Sequence, residues 1–309
     1  MQTRKFDVVA LGEAMVEFNQ TTAGQPNYLQ GFGGDTSNAV IAAARAGAST
    51  AYLTRLGGDT FGQSLMALWA AEKVSTEAVQ LDGEASTGLY FVTHGPSGHE
   101  FSYLRAGSAA SRMTPAWLQQ GATDAVRQAK VLHISGISLA ISASACDTAF
   151  AAMKLAREAG TLVSFDSNLR LKLWPLDRAL ACTRHAVSLC DIFLPSLEDI
   201  TALNGMTDPD AVVDWGHALG ARTVVLKLGG EGALVSDGTR RERVPVHRVT
   251  LVDATGAGDC FCGNLLARIA KGDTVFKAAH YANAAAALTV QGYGAVAPLP
   301  RPEQVRGLL

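Results

Sequence analysis

Val252-Asp253-Ala254-Thr255-Gly256-Ala257-Gly258-Asp259-Cys260-Phe261-Cys262-Gly263-Asn264 is the stretch on which the reading of this chain turns. Gly256-Ala257-Gly258 predicts a tight turn, and the apolar run from Phe261 to Ile269 predicts a helix behind it. A glycine turn feeding a helix leaves backbone N–H groups without intrachain partners, and the helix dipole adds positive potential. Phosphate oxygens fit such a place. Asp259 would repel them unless it has work to do, and the fitting work is taking a proton from an alcohol that attacks a bound phosphoryl group. The plainer alternative is a helix-start carboxylate, favourable by roughly 0.3–1 kcal/mol, beside two ordinary turn glycines. The local string leaves both open.

At 309 residues, with 48% apolar and 17% charged residues, the chain has the composition of a large globular α/β protein. Net charge is −2 and the basic run stops at Arg240-Arg241-Glu242-Arg243, which argues against nucleic acid as a partner. Cys146, Cys182, Cys190, Cys260 and Cys262 include no Cys-x-x-Cys pair, so buried thiols in a reducing compartment are expected. No apolar segment precedes the first strand, so a cytoplasmic protein without membrane attachment is expected.

Phe6 to Leu11 predicts a core strand, and an alanine-rich helix follows Gly33-Gly34-Asp35-Thr36-Ser37-Asn38. Strands at 51–56, 131–135, 162–166, 191–194 and 223–228 alternate with helices at 63–72, 143–159, 177–189, 208–219, 261–270 and 275–290. This rhythm implies a mostly parallel sheet covered by helices on both faces, with ligands beyond the carboxyl ends of the strands. Residues 14–33 and 87–110 break it. They contain short polar-aromatic strands and a hairpin turning at His94-Gly95-Pro96-Ser97-Gly98, a candidate β-sheet lid.

The chain has no Gly-x-x-x-x-Gly-Lys-Ser/Thr loop, no dinucleotide fingerprint after its first strand and no His-Glu-x-x-His string. What converges instead is a set of polar groups suited to a polyol beside an anion hole. Gly33 and Gly34 allow close backbone approach and Asn38 supplies an amide. Tyr90, Tyr103 and Arg105 stand on the lid, where the tyrosines could equally just pack the hairpin. Arg170 follows the strand ending at Asp166. Two arginines near one site suggest a carboxylate in the substrate.

Gly33 to Asn38 and Asp253 to Asp259 resemble the two signatures of the ribokinase-like, PfkB-type carbohydrate kinases, and the resemblance runs over essentially the whole chain. It implies a three-layer ribokinase-like α/β fold over 1–309 with the β lid, and ATP-dependent phosphorylation of a sugar. Asp259 would be the base, with Gly256, Ala257 and Gly258 forming the anion hole. Asp253 and Thr255 would hold a potassium ion, and Lys227 and Gly229 would line the nucleotide. Asn283 would lie near adenine. Ser196 stands where many members have asparagine, and Asp199 would serve magnesium through water. Within the family, Glu17, Tyr103 to Ser111 and Asp166 to Trp174 most resemble 2-dehydro-3-deoxygluconate kinases. That implies transfer to the 6-hydroxyl of this sugar acid, Arg105 and Arg170 meeting its carboxylate. Fructokinase is the first alternative, and a sugar-binding module without turnover is another. Family members are commonly oligomers, so a homo-oligomer is expected.

Overall fold

Each short apolar run of the sequence pairs with the next across helical crossovers in a computed structural model, which describes residues 4–95 and 98–309. The strands are β1 (Phe6–Leu11), β2 (Met15–Gln20), β3 (Tyr28–Gly33), β4 (Thr50–Gly57), β5 (Val74–Ser75), β6 (Val79–Asp82) and β7 (Gly88–Gly95). They continue as β8 (Gly98–Leu104), β9 (Ala129–Ser135), β10 (Leu162–Asp166), β11 (Ile192–Leu194), β12 (Thr223–Lys227), β13 (Ala233–Ser236) and β14 (Arg241–Val244). The main sheet runs β14-β13-β12-β11-β10-β9-β1-β4-β5, with β6 also beside β4. It is parallel from β12 through β5 and antiparallel only at β13 and β14.

β1 is apolar without alternation because both of its faces are covered. Val9 and Leu11 join a core with Leu132, Ile134 and Phe165, under helices Ala143–Glu158, Leu176–Leu189 and Pro209–Ala218. Val8 faces the other way, into a core with Val131, Leu265 and Leu266 beneath helices Asp35–Arg45, Ala257–Ala270 and Val275–Thr289. Helices, sheet and helices make the three layers expected from the sequence. No helix among the described residues is long and apolar enough to cross a membrane.

The two helices that begin at the glycine motifs pack unusually closely. A Cβ on Gly263 would lie 2.1 Å from the Ala39 carbonyl oxygen and 2.8 Å from Ala42 Cβ. Only glycine permits that approach.

The lid is a separate sheet ordered β3-β2-β7-β8. Its register places Glu17 beside Tyr90, and Tyr90 opposite Tyr103. The expected hairpin is present, although its Pro96-Ser97 tip lies outside the described residues, as do Met1 to Thr3.

Several elements depart from the sequence reading. The helix expected from Phe261 starts at Ala257, with Gly256 at φ 75° as its left-handed N-cap, so Asp259 belongs to the first turn and not to a loop. Helix Leu197–Asn204 was not foreseen, though Ser196 caps it by accepting from Asp199 N. The proline-punctuated tail holds helix Pro302–Leu308, started by a proline at its first position.

Gly263→Ala should destabilise the protein by about 1–3 kcal/mol, the cost of overpacking a close contact. A urea midpoint below that of the parent protein is the expected result, and an unchanged midpoint would contradict this account of the helix pair.

Candidate active site

Two helix amino termini meet at the carboxyl end of the sheet, and both are built the same way. Gly34 (φ 109°) precedes helix Asp35–Arg45 and Gly256 (φ 75°) precedes helix Ala257–Ala270. A Cβ on Gly34 would stand 2.4 Å from the Glu13 carbonyl oxygen, and one on Gly256 would stand 2.9 Å from Ala295 Cα. Neither helix has a side-chain cap, and each carries a carboxylate in its first turn, Asp35 and Asp259. Their first-turn amides therefore face outward with the dipole behind them. Ala257 N–H is partly engaged, donating to the Ala254 carbonyl at 3.2 Å.

Asn38 Nδ2 donates to Asp259 Oδ2 at 2.9 Å, joining the helices. Asn168 Nδ2 donates to Asp35 Oδ2 at 2.7 Å from a backbone at φ 25°, a conformation asparagine tolerates better than most residues. Asp35 Oδ1 and Asn38 Oδ1 are buried with no hydrogen-bond partner. Unpaired buried acceptors are costly, and hydroxyl groups of a polyol would satisfy them. Burial, then the nearby charge of Asp35, pushes the Asp259 carboxyl up to about 7, with the Asn38 bond opposing. A carboxylate so tuned is matched to proton abstraction near neutral pH.

Lys227 ends β12 beneath the same helix start. Its Nζ lies 2.7 Å from Asp166 Oδ1, 3.7 Å from Cys262 Sγ and 3.8 Å from where a Cβ on Gly258 would stand. Burial disfavours the ammonium, but the Asp166 carboxylate outweighs it and holds Lys227 charged well above the usual range. A fixed positive charge thus stands beside the anion turn.

On the lid side, Gly33 makes room for Tyr90, whose hydroxyl would be 2.3 Å from a Cβ there. Tyr90 donates to Glu17 Oε2 at 2.5 Å, and burial followed by the Glu17 charge keeps the phenol protonated. Tyr103 is half exposed, its ring 5.8 Å from that of Tyr90. Arg105 is not free to seek a substrate carboxylate. It is paired with buried Glu13, which also accepts from Ser108 Oγ at 2.5 Å. Arg170 is exposed and donates to the Leu169 carbonyl at 2.7 Å. The inference that two uncompensated arginines demand an acidic substrate is therefore corrected: one charge is already neutralised and the other stands in solvent.

On the nucleotide side, Ser196 Oγ accepts from Asp199 N at 3.1 Å, and Asp199 Oδ2 accepts from Ser167 Oγ at 2.7 Å. Gly229 adopts φ 57° two residues after the end of β12. Asn283 Nδ2 donates to the Pro245 carbonyl at 2.5 Å, which ties down the loop leading to the glycine turn. Asp253 Oδ1 accepts from Thr255 N at 2.9 Å and from Thr255 Oγ1 at 2.6 Å, while Oδ2 accepts from Gly294 N at 2.9 Å. This carboxylate joins two loops whose backbone carbonyls are hard oxygen donors. Among the described residues, no group of three or more His, Cys, Asp or Glu is placed to hold a metal ion.

Asp35 and Glu13 are residues of this site to which the sequence reading gave no role. Asp35 had a readable signal, since Gly34-Asp35 repeats the glycine-then-acid pattern of Gly258-Asp259.

Comparison with known proteins agrees with this geometry. Residues 5–302 match the family described as pfkB family carbohydrate kinase. Probable fructokinase-7 of Arabidopsis thaliana is 32% identical over 98% of this chain and 92% of its own, and fructokinase-2 of Solanum lycopersicum is 33% identical over 98% and 95%. The 2-dehydro-3-deoxygluconokinase of Thermoproteus tenax is 33% identical over 98% and 94%. Among solved structures, a putative ribokinase II from E. coli in complex with ATP and Mg2+ superposes with a TM-score of 0.89 at 25% identity, covering 97% of this chain and 98% of its own. A fructokinase double mutant from Vibrio cholerae, bound to fructose, ADP and potassium, gives 0.88 at 27% identity with both chains covered at 100%. Fructokinases dominate these relatives, so the expected assignment to 2-dehydro-3-deoxygluconate kinase is corrected. The strings that suggested it include Arg105, now accounted for by Glu13, and Arg170, which stands exposed.

The carboxyl of Asp259 must be ionised to accept a proton, so kcat/KM should fall as pH drops through about 7. Asp35 raises that value, and Asp35→Asn should move the acid limb to lower pH. A pH–rate profile checks this, and a limb that stays put or moves upward would contradict it.

Proposed function

Because the chain belongs to the pfkB family of carbohydrate kinases, we propose that it transfers the γ-phosphoryl group of ATP to a primary hydroxyl of a neutral hexose, with fructose as the substrate. The observation that carries this reading is Asp259 in the first turn of an uncapped helix, held by Asn38 beside two unpaired buried acceptors. The acceptors Asp35 Oδ1 and Asn38 Oδ1 would take sugar hydroxyls, with Gly33 and Gly34 letting the sugar approach the backbone. Asp259 would accept the proton of the attacking hydroxyl. The amides of Gly258 and Asp259 would hold the transferred group, and the Lys227 ammonium would meet its growing charge. Tyr90 and Tyr103 would close over the sugar from the lid and exclude water.

Gly229, Ser196 and Asn283 would frame the nucleotide, Asn283 by fixing the loop at Pro245 and not by direct contact. Magnesium bound to ATP phosphates would supply charge neutralisation, and Asp199 is the acid that would serve it. Potassium beside Asp253 and Thr255 would steady the glycine turn electrostatically. The complexes of similar proteins with ATP and Mg2+ and with potassium support both ions. The open edges of β3 and β8 on the lid support a homo-oligomer.

A panel of fructose, ribose, gluconate and 2-dehydro-3-deoxygluconate with MgATP tests the reading. We expect kcat/KM for fructose to exceed that for the sugar acids by about tenfold or more, since Arg105 is already paired with Glu13 and Arg170 stands in solvent, which leaves little to reward a carboxylate. A better rate with an acid would overturn the substrate class. Potassium should raise the fructose rate above that in tetramethylammonium at equal ionic strength, and equal rates would remove the cation site.

A further inference from the structure

Four connections join the lid to the body, and all of them converge on one buried residue, Glu13, through its backbone or its carboxylate. The first, between β1 and β2, contains Glu13 itself. The second leaves β3 through Gly34, which stands so close that a Cβ would lie 2.4 Å from the Glu13 carbonyl oxygen. The third enters β7 at Gly88, where a Cβ would lie 2.8 Å from Glu13 Oε1. The fourth leaves β8 through Arg105 and Ser108, which donate to the two carboxylate oxygens of Glu13. The Glu13 side chain is 0% exposed and that of Arg105 is 10% exposed.

The surroundings brace this point from both sides. Ser108 Oγ also accepts from Ser111 N at 3.3 Å, and Ala109 N donates to the Ser86 carbonyl at 2.9 Å, which links the fourth connection to the third. Thr87, at the entry to β7, bonds Asp59 through its N–H and its hydroxyl, both at 2.8 Å. Glycine lets the chain pass close to the Glu13 backbone at position 34 and to its carboxylate at position 88. A buried carboxylate separated from its guanidinium would be strongly unfavourable. Movement of the lid is therefore confined to arcs that keep Arg105 on Glu13.

We propose that Glu13 is a positioning residue, the pivot on which the lid sheet turns over the sugar. It touches neither sugar nor nucleotide and acts through Arg105 and Ser108 on the placement of Tyr90, Tyr103, Gly33 and Gly34. This role rests on the kinase reading for its effect on turnover, but not for its effect on lid motion. A loosened pivot leaves the lid less often closed, so sugar is held less well and water reaches the phosphoryl group more often.

The test combines amide hydrogen exchange with kinetics on the full-length protein, comparing Glu13→Gln, Arg105→Lys, Arg105→Met and the double variant Glu13→Gln/Arg105→Met. The double variant removes both charges together and so avoids an orphaned buried ion if Glu13→Gln alone does not fold. Faster exchange in β2, β3, β7 and β8, with β1, β9 and β10 unchanged, is the expected result for each variant except Arg105→Lys. That variant keeps the charge and should retain most of the protection. KM for fructose should rise about tenfold, the scale of one lost charge-assisted hydrogen bond. kcat should change far less, and hydrolysis of ATP without sugar should increase. Lid exchange equal to that of the parent protein in the folded double variant overturns the proposal. A parent protein that phosphorylates no sugar, with lid exchange still accelerated in the variants, overturns the kinase reading and leaves the pivot standing.

Discussion

The structure depends on how closely helices Asp35–Arg45 and Ala257–Ala270 can approach each other. Gly263 lies against the Ala39 carbonyl with no room for a side chain. That contact brings two uncapped helix starts to one place and lets Asn38 reach Asp259. Everything chemical in the site follows from the juxtaposition. Positive potential from the first-turn amides offers an anion hole, while burial and the nearby charge of Asp35 raise the proton affinity of Asp259. Neither helix alone would place a base beside a phosphate site.

Charge compensation then settles what the site can hold. Lys227 is balanced by Asp166, and Arg105 by Glu13, before any ligand is considered. The groups left unsatisfied are neutral-facing acceptors, Asp35 Oδ1 and Asn38 Oδ1. A hydroxyl-rich sugar answers them, and a carboxylate would add repulsion where two acids already stand. The same accounting moves Arg105 from substrate recognition to the mechanics of the lid.

Much of this was legible in the chain. The alternation of apolar runs and helices after Ser111 gave the parallel sheet, because strands buried on both faces must be continuously apolar. Gly256 to Asp259 announced both the turn and the acid. The start of that helix was misplaced because Gly258 and Asp259 have weak helical propensity, and packing against helix Asp35–Arg45 overrides it. The Glu13–Arg105 pair could not be read, since the partners are far apart in sequence and meet only when the lid connections fold together. Arg105 therefore looked uncompensated, and a substrate carboxylate was inferred to fill a vacancy that Glu13 already fills. Asp35 shares the glycine-then-acid pattern of Asp259, but its place beside Asn168 and Asp259 depends on residues more than a hundred positions away.

The central claim is that Asp259 removes the proton from the attacking hydroxyl. Steady-state kinetics of Asp259→Asn with fructose and MgATP, alongside its thermal melt and ATP affinity, test it most directly. Burial raises the proton affinity of this carboxyl, so the folded protein binds a proton there that the unfolded chain has already lost between the ordinary carboxylate range and about pH 7. Stability contributed by the group therefore declines as pH rises through that window, and the neutral amide should melt no lower than the parent protein at pH 7.5. Turnover should fall by about 10²–10⁴-fold with ATP binding retained. A folded Asp259→Asn protein that binds ATP and phosphorylates fructose at close to the parent rate would contradict the account.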